Sequence, residues 1–178
     1  MRDVLAALSL QAQTRPDELA LSEPGQSLTY QALAGQVAAQ AIAFKNLPDT
    51  IGLLAGNSIA WVVADLALAL AGKTMVPLPT FFSPSQLAHI VKDAAVGHVL
   101  CAPETLGLAK DLGLPCTTLD ATAAAAPFPR DLSATQRSKR IIYTSGTTGA
   151  PKGVRHGARQ MTASTSGLLP ASGASADD

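Results

Sequence analysis

The residues of this chain best suited to chemistry lie side by side: Tyr143-Thr144-Ser145-Gly146-Thr147-Thr148-Gly149-Ala150-Pro151-Lys152, followed by Gly153-Val154. Glycines let backbone N–H groups converge on one point and let an anion come close. Ser and Thr hydroxyls add donors that rotate into place, and Lys152 adds a movable positive charge. These are the properties of a loop that holds phosphate. Thr144, Ser145, Gly146, Thr147, Thr148, Gly149 and Lys152 are therefore the candidate ligand-binding residues, against the plainer alternative of a Gly/Thr surface loop. The apolar run Ile141-Ile142-Tyr143 precedes it. The loop thus leaves the carboxyl end of a buried strand, where open α/β sheets bind ligands.

Counting excludes two common phosphate loops. The P-loop needs G-x-x-x-x-G-K-S/T. Starting from Gly146, Pro151 falls on the second glycine and Gly153 on the magnesium-binding hydroxyl. The dinucleotide fingerprint G-x-G-x-x-G fails as well, because Gly146 and Gly149 supply only G-x-x-G. From Tyr143 to Val154, without a gap, the segment resembles the signature of the adenylate-forming, AMP-binding enzymes. This superfamily holds acyl-CoA synthetases, peptide-synthetase adenylation domains and luciferases. Asp17–Leu21 with Ser27–Leu33, Ile51–Ser58, and Ala71–Leu78 are similar to the family's opening segments, in the same order. One departure follows the loop: Arg155-His156-Gly157-Ala158 places Ala158 where the family usually has His. That puts a substrate contact there in doubt and leaves the loop untouched.

The resemblance implies a reaction. A carboxylate attacks the α-phosphorus of ATP, pyrophosphate leaves, and an acyl-adenylate forms; the acceptor is then coenzyme A or a carrier-protein thiol. ATP and Mg²⁺ are the implied cofactors, and residues 144–152 would hold the β- and γ-phosphates. It also implies that the magnesium-binding acid, the adenine and ribose contacts, the acyl pocket and the catalytic lysine lie beyond Asp178. No catalytic or metal-ligating residue is assigned within residues 1–178. On this reading the chain is a partial N-terminal AMP-binding domain that ends after the phosphate loop, binds phosphate weakly and does not adenylate alone. Its uncovered apolar surface is expected to drive self-association. The rival readings are a non-catalytic nucleotide-binding relic or interaction module, and an unrelated NTPase, which the failed P-loop count disfavours. Fatty, aryl and amino acids all stay open as substrates.

The elements that must position the loop follow from periodicity. Val4, Leu5, Leu8 and Ala12 predict a helix over 3–14, which Pro16 ends. Pro24-Gly25 reads as a hairpin turn. Thr29 caps a helix with Leu33, Val37, Ala41 and Phe44 on one face. Ile51–Ala55, Met75–Leu78, His98–Cys101, Pro115–Leu119 and Arg140–Thr144 read as strands. Between them lie a helix capped by Asn57 or Ser58 and apolar nearly all round, a second capped at Ser83-Pro84, and a short one at Leu106–Lys110. Residues 121–130 read as a surface connection, and Met161–Leu169 as the start of a helix. Strands separated by helices predict a doubly wound parallel sheet with helices on both faces, an α/β fold, plus the N-terminal helix and hairpin.

Other side chains carry plainer readings. Cys101 and Cys116 read as buried core residues, Trp61 as core, His89 as surface, and His98 as structural. His156 and Arg159 read as a solvated helix start. Asp65 is a lone charge in an apolar helix, due a basic partner or an uncovered edge. Lys plus Arg and Asp plus Glu are both 13 in the 178 residues, so no electrostatic footprint for nucleic acid exists. Met1–Arg15 lacks the apolar stretch of a signal peptide, and Ile59–Gly72 is too short to span a bilayer. A cytoplasmic protein is expected.

Overall fold

A computed structural model describes residues 1–119, 125–144, 151–157 and 160. The chain opens with helix α1 (Arg2–Thr14), a hairpin of β1 (Leu19–Glu23) and β2 (Gln26–Thr29), and helix α2 (Tyr30–Phe44). Strand and helix then alternate: β3 (Thr50–Leu54), α3 (Ile59–Leu70), β4 (Thr74–Pro77), α4 (Pro84–Asp93), β5 (His98–Cys101), α5 (Leu106–Asp111) and β6 (Cys116–Thr118). A 3₁₀ turn at Ser133–Arg137 leads into β7 (Lys139–Thr144), and β8 (Lys152–His156) follows. The second sheet has the order β6-β5-β3-β4-β7-β8. Every neighbour pair in it is parallel except β7 and β8.

The predicted parallel sheet is present, and the caps lie where the residue types place them. Thr29 Oγ1 accepts from Ala32 N–H. Ser83 and Gln86 form a reciprocal capping box, with Pro84 in the first turn of α4. Between the two cap candidates of α3, Ser58 is the cap: its Oγ accepts from Trp61 N–H at 3.1 Å. Glu23 Oε2 takes the neighbouring N–H of Ile59 at 3.0 Å, so the hairpin also satisfies an orphan donor of α3. Ser58→Ala should therefore cost about 1 kcal/mol of stability in urea denaturation. Asn57→Ala should stay within about 0.5 kcal/mol. Gly72 ends α3 at φ +72°, and a Cβ there would lie 2.7 Å from the Ala134 carbonyl oxygen. Glycine is required at this position on both counts.

Two cores flank the sheet because strand residues alternate between its faces. Ile51, Leu53, Met75 and Leu100 pack with α1, α2 and α3. Leu54, Val76, Val99, Cys101, Ile141 and Tyr143 pack with Leu87 and Ile90 of α4 and Ala109 of α5. Cys101 is buried as expected, whereas Cys116, on edge strand β6, is only half-buried. Trp61 likewise packs against the first core while staying half-exposed. His98 is buried, its Nε2 2.9 Å from Thr117 Oγ1, and burial lowers its pKa.

One expectation is corrected. His156 does not start a helix; it closes β8, an antiparallel edge strand running from Lys152. The period-2 signal is weak there because β8 is exposed along nearly all its length. Arg159 and Met161–Leu169 lie outside the described residues, as do positions 121–124 of the connection. Among the described residues no helix is long and apolar enough to cross a membrane.

Candidate phosphate-binding site

The candidate loop sits between β7 and β8. Their register runs from Arg140↔His156 through Ile142↔Val154 to Thr144↔Lys152. Thr144 and Lys152, named from sequence, thus form the last pair of a β-hairpin. Both are exposed. Among the described residues Lys152 has no ion-pair partner. Ser145, Gly146, Thr147, Thr148 and Gly149 lie outside the described residues. The hairpin opens at the carboxyl end of the parallel strands, where the fold predicts ligands.

The two faces of the hairpin differ. Ile141 and Tyr143 point into the second core and are buried. Tyr143 Oη donates to Asp93 Oδ2 at 2.5 Å. Burial first, and then the Asp93 carboxylate, hold the phenol well above its ordinary pKa, so it stays a donor. Its ring covers Gly153: a Cβ on that residue would lie 2.8 Å from Tyr143 Cζ. The glycine of the motif at 153 therefore serves packing. Sequence reasoning grouped it with the loop and missed this role, although an aromatic paired with glycine across two strands is a readable signal.

On the other face Arg140 reaches back to Asp65 of α3 and forms an ion pair with it. The lone charge seen in the apolar helix thus has its basic partner. Asp65 is only 7% exposed. Burial raises its pKa, and the Arg140 guanidinium, by charge and hydrogen bond, draws it partly back. Further along, Ile142 is 40% and Val154 51% exposed. They are cross-strand partners, so an apolar stripe lies open beside the Thr144–Lys152 pair.

A crevice of about 340 Å³ lies at the carboxyl ends of β3 and β4, lined among others by Gly56, Asn57, Trp61, Thr80 and Phe81. Asn57, freed from capping by Ser58, offers an exposed amide to this crevice. Phe81, at 84% exposure, offers an uncovered ring. Thr80 and Phe81 carried no sequence signal, since they sit in a turn with no motif. A larger hollow, about 740 Å³, lies at the amino ends of β4 and β7 around Lys73 and Lys139. It is at the wrong end of the sheet to serve the hairpin, and the site is assigned to the carboxyl end on topology.

The donor set suits a polyphosphate: hydroxyls and glycine N–H groups by sequence, and an exposed lysine with no carboxylate partner among the described residues. Among the described residues no three His, Cys, Asp or Glu side chains cluster, and no residue here is assigned to Mg²⁺.

Comparison with known proteins bears on the family and the fold. The family model described as AMP-binding enzyme matches residues 8–178. Malpinin synthetase of Mortierella alpina is 38% identical over 156 residues, covering 81% of this chain and 2% of that protein. The mitochondrial malonate–CoA ligase ACSF3 of Bos taurus is 34% identical over 132 residues, covering 68% of this chain and 22% of that one. Among solved structures, the O-succinylbenzoate coenzyme A synthetase of Bacillus subtilis in complex with AMP superposes with a TM-score of 0.75 at 25% identity. It aligns with 96% of this chain and 47% of its own; the same enzyme has also been solved with ATP and a magnesium ion. The chain thus spans under a quarter of these two curated relatives and under half of the solved one. With the motif from Tyr143 to Val154, the sheet order and a family match over nearly its whole length, the chain belongs to the AMP-binding, adenylate-forming enzyme family.

Proposed function

We propose that this chain supplies the polyphosphate grip of an ATP-dependent acid ligase, with Thr144, Ser145, Gly146, Thr147, Thr148, Gly149 and Lys152 holding the β- and γ-phosphates. The observation that carries this is the Thr144–Lys152 pair: an exposed lysine, without an ion-pair partner among the described residues, facing a hydroxyl across the mouth of a hairpin at the sheet's carboxyl end. In the reaction a carboxylate oxygen forms a bond to the α-phosphorus of ATP, and the bond from that phosphorus to pyrophosphate breaks. The grip holds the leaving group and neutralises the charge that develops on it. Mg²⁺, when bound, supplies further charge neutralisation on the phosphates. The acceptor in the second step is a thiol, of coenzyme A or a carrier protein, and the setting is the cytoplasm, where ATP and free thiols are plentiful. Proteins similar to this one are named for malonate, 2-succinylbenzoate and tyrocidine, so the acid is left as a class.

The test is acid-dependent exchange of pyrophosphate into ATP, in a protein of the relatives' length that contains this chain. Exchange that needs an added carboxylic acid supports ligase chemistry; ATP hydrolysis without any acid overturns it. Lys152→Ala should lower exchange about tenfold, the scale of one lost charge-assisted contact to phosphate. Since Lys152 is exposed, the melting temperature should not move. Unchanged exchange would remove Lys152 from the grip.

A further inference from the structure

β7 pairs with β4 at Thr74↔Lys139 and Met75↔Arg140. Beyond Arg140, among the described residues, it pairs with β8 through to Thr144↔Lys152. The end of the hairpin that carries Thr144 and Lys152 also has support from outside the sheet. Helix α4 provides it. Asp93 accepts from Tyr143 Oη at 2.5 Å, next to Thr144. His89 Nε2 lies 3.2 Å from the carbonyl oxygen of Pro151, next to Lys152. Pro151 is buried and has no N–H, so this carbonyl is its only backbone hydrogen-bonding group, and it needs a donor. His89 and Asp93 are four residues apart and share one face of the helix.

α4 is itself well fixed. The capping box and Pro84 set its start, and Leu87 and Ile90 are fully buried beneath it. Asp93 lies in the last turn, where the helix dipole disfavours a carboxylate. Its contribution is to the hairpin and not to the helix it stands on.

We propose that His89 and Asp93 are positioning residues that hold the two ends of the hairpin from one helix and so fix the separation and direction of Thr144 and Lys152. The ligand held there rests on the reading under Proposed function; the tie itself does not.

The experiment uses the chain as it stands. Amide hydrogen exchange is measured at residues 141–144 and 152–156, with tripolyphosphate titrated as the probe and thermal melting run in parallel. His89→Ala should speed exchange at these amides about three- to tenfold, the scale of one lost hydrogen bond, and weaken tripolyphosphate binding by a similar factor. Amides of α2 and α3 should not change. His89→Gln, which keeps an N–H donor, should restore both readouts, and Asp93→Ala should act as His89→Ala does. An even rise in exchange across the whole molecule would make both residues merely structural and overturn the proposal. So would faster hairpin exchange with unchanged tripolyphosphate affinity. If the unmutated chain binds no tripolyphosphate, the phosphate reading fails, while the exchange result still decides whether α4 holds the hairpin.

Discussion

Arg140→Met is expected to destabilise the protein by about 3–5 kcal/mol at neutral pH, the scale for removing one partner of a buried ion pair. The cost comes from what remains. Asp65 is buried in an apolar helix, and Arg140 is its ion-pair partner. Without the guanidinium the carboxylate must stay charged in a poor solvent or take up a proton. The direction with pH follows. Burial already raises the Asp65 pKa in the folded state, so the native protein binds this proton more readily than the unfolded chain. Stability from this group is greatest at low pH and is lost as pH rises through the folded-state value. Removing Arg140 takes away a lowering influence and raises that value further. The penalty should thus be largest at neutral pH and shrink as pH falls toward the ordinary aspartate value of 3.8. Urea denaturation across this range checks it.

A double replacement separates the pair from its surroundings. Asp65→Leu with Arg140→Met should recover most of the lost stability, since apolar residues of similar volume often match a buried pair. A loss below about 1 kcal/mol for Arg140→Met alone would mean that water reaches Asp65 and that the pair behaves as a surface one. Because Arg140 makes the first β7–β8 pair, with His156, the same variant should loosen the root of the hairpin that carries Thr144 and Lys152.

Gly153→Val is the second large effect, and its sign opposes local preference. β8 is an exposed edge strand, where valine is ordinarily favoured over glycine on a scale of about 1 kcal/mol. Here a Cβ would stand 2.8 Å from Tyr143 Cζ and 3.0 Å from its Cε1 and Oη. The ring cannot swing aside, because it is buried and its hydroxyl is bound to Asp93. Overpacking of this kind costs about 1–3 kcal/mol. The expected result is a loss in that range by chemical denaturation, with weaker tripolyphosphate binding, since Lys152 is the adjacent residue. Tyr143→Leu should relieve the clash and recover part of the loss in the double variant. A stabilising Gly153→Val would show that the ring does not pack over this glycine.

Local information alone determined a good deal. Thr29, Ser83 and Pro84 mark helix starts by hydrogen bonds and fixed dihedrals that need only a few neighbouring residues. The alternation of apolar strands and helices dictated a parallel sheet, because strands joined by covering helices have few other ways to bury both faces. The reading of the loop as a phosphate grip, with Thr144 and Lys152 at its ends, rests on residue type alone, since hydroxyl donors, glycines and a lysine are legible without a fold.

What only the tertiary structure decided concerns partners distant in sequence. Asp65 and Arg140 are 75 residues apart, and nothing in either neighbourhood says that they meet. β8 carries too little burial to leave a period-2 signal, so its strand character comes from pairing with β7. The choice of Ser58 over Asn57 as cap, which leaves Asn57 to the crevice, was set by backbone geometry at the end of β3. The ties from His89 and Asp93 to the hairpin exist because Leu87 and Ile90 of α4 share a core with Ile141 and Tyr143 of β7. Periodicity reports which face of an element is buried; which side chain meets it across the core depends on how the elements are stacked.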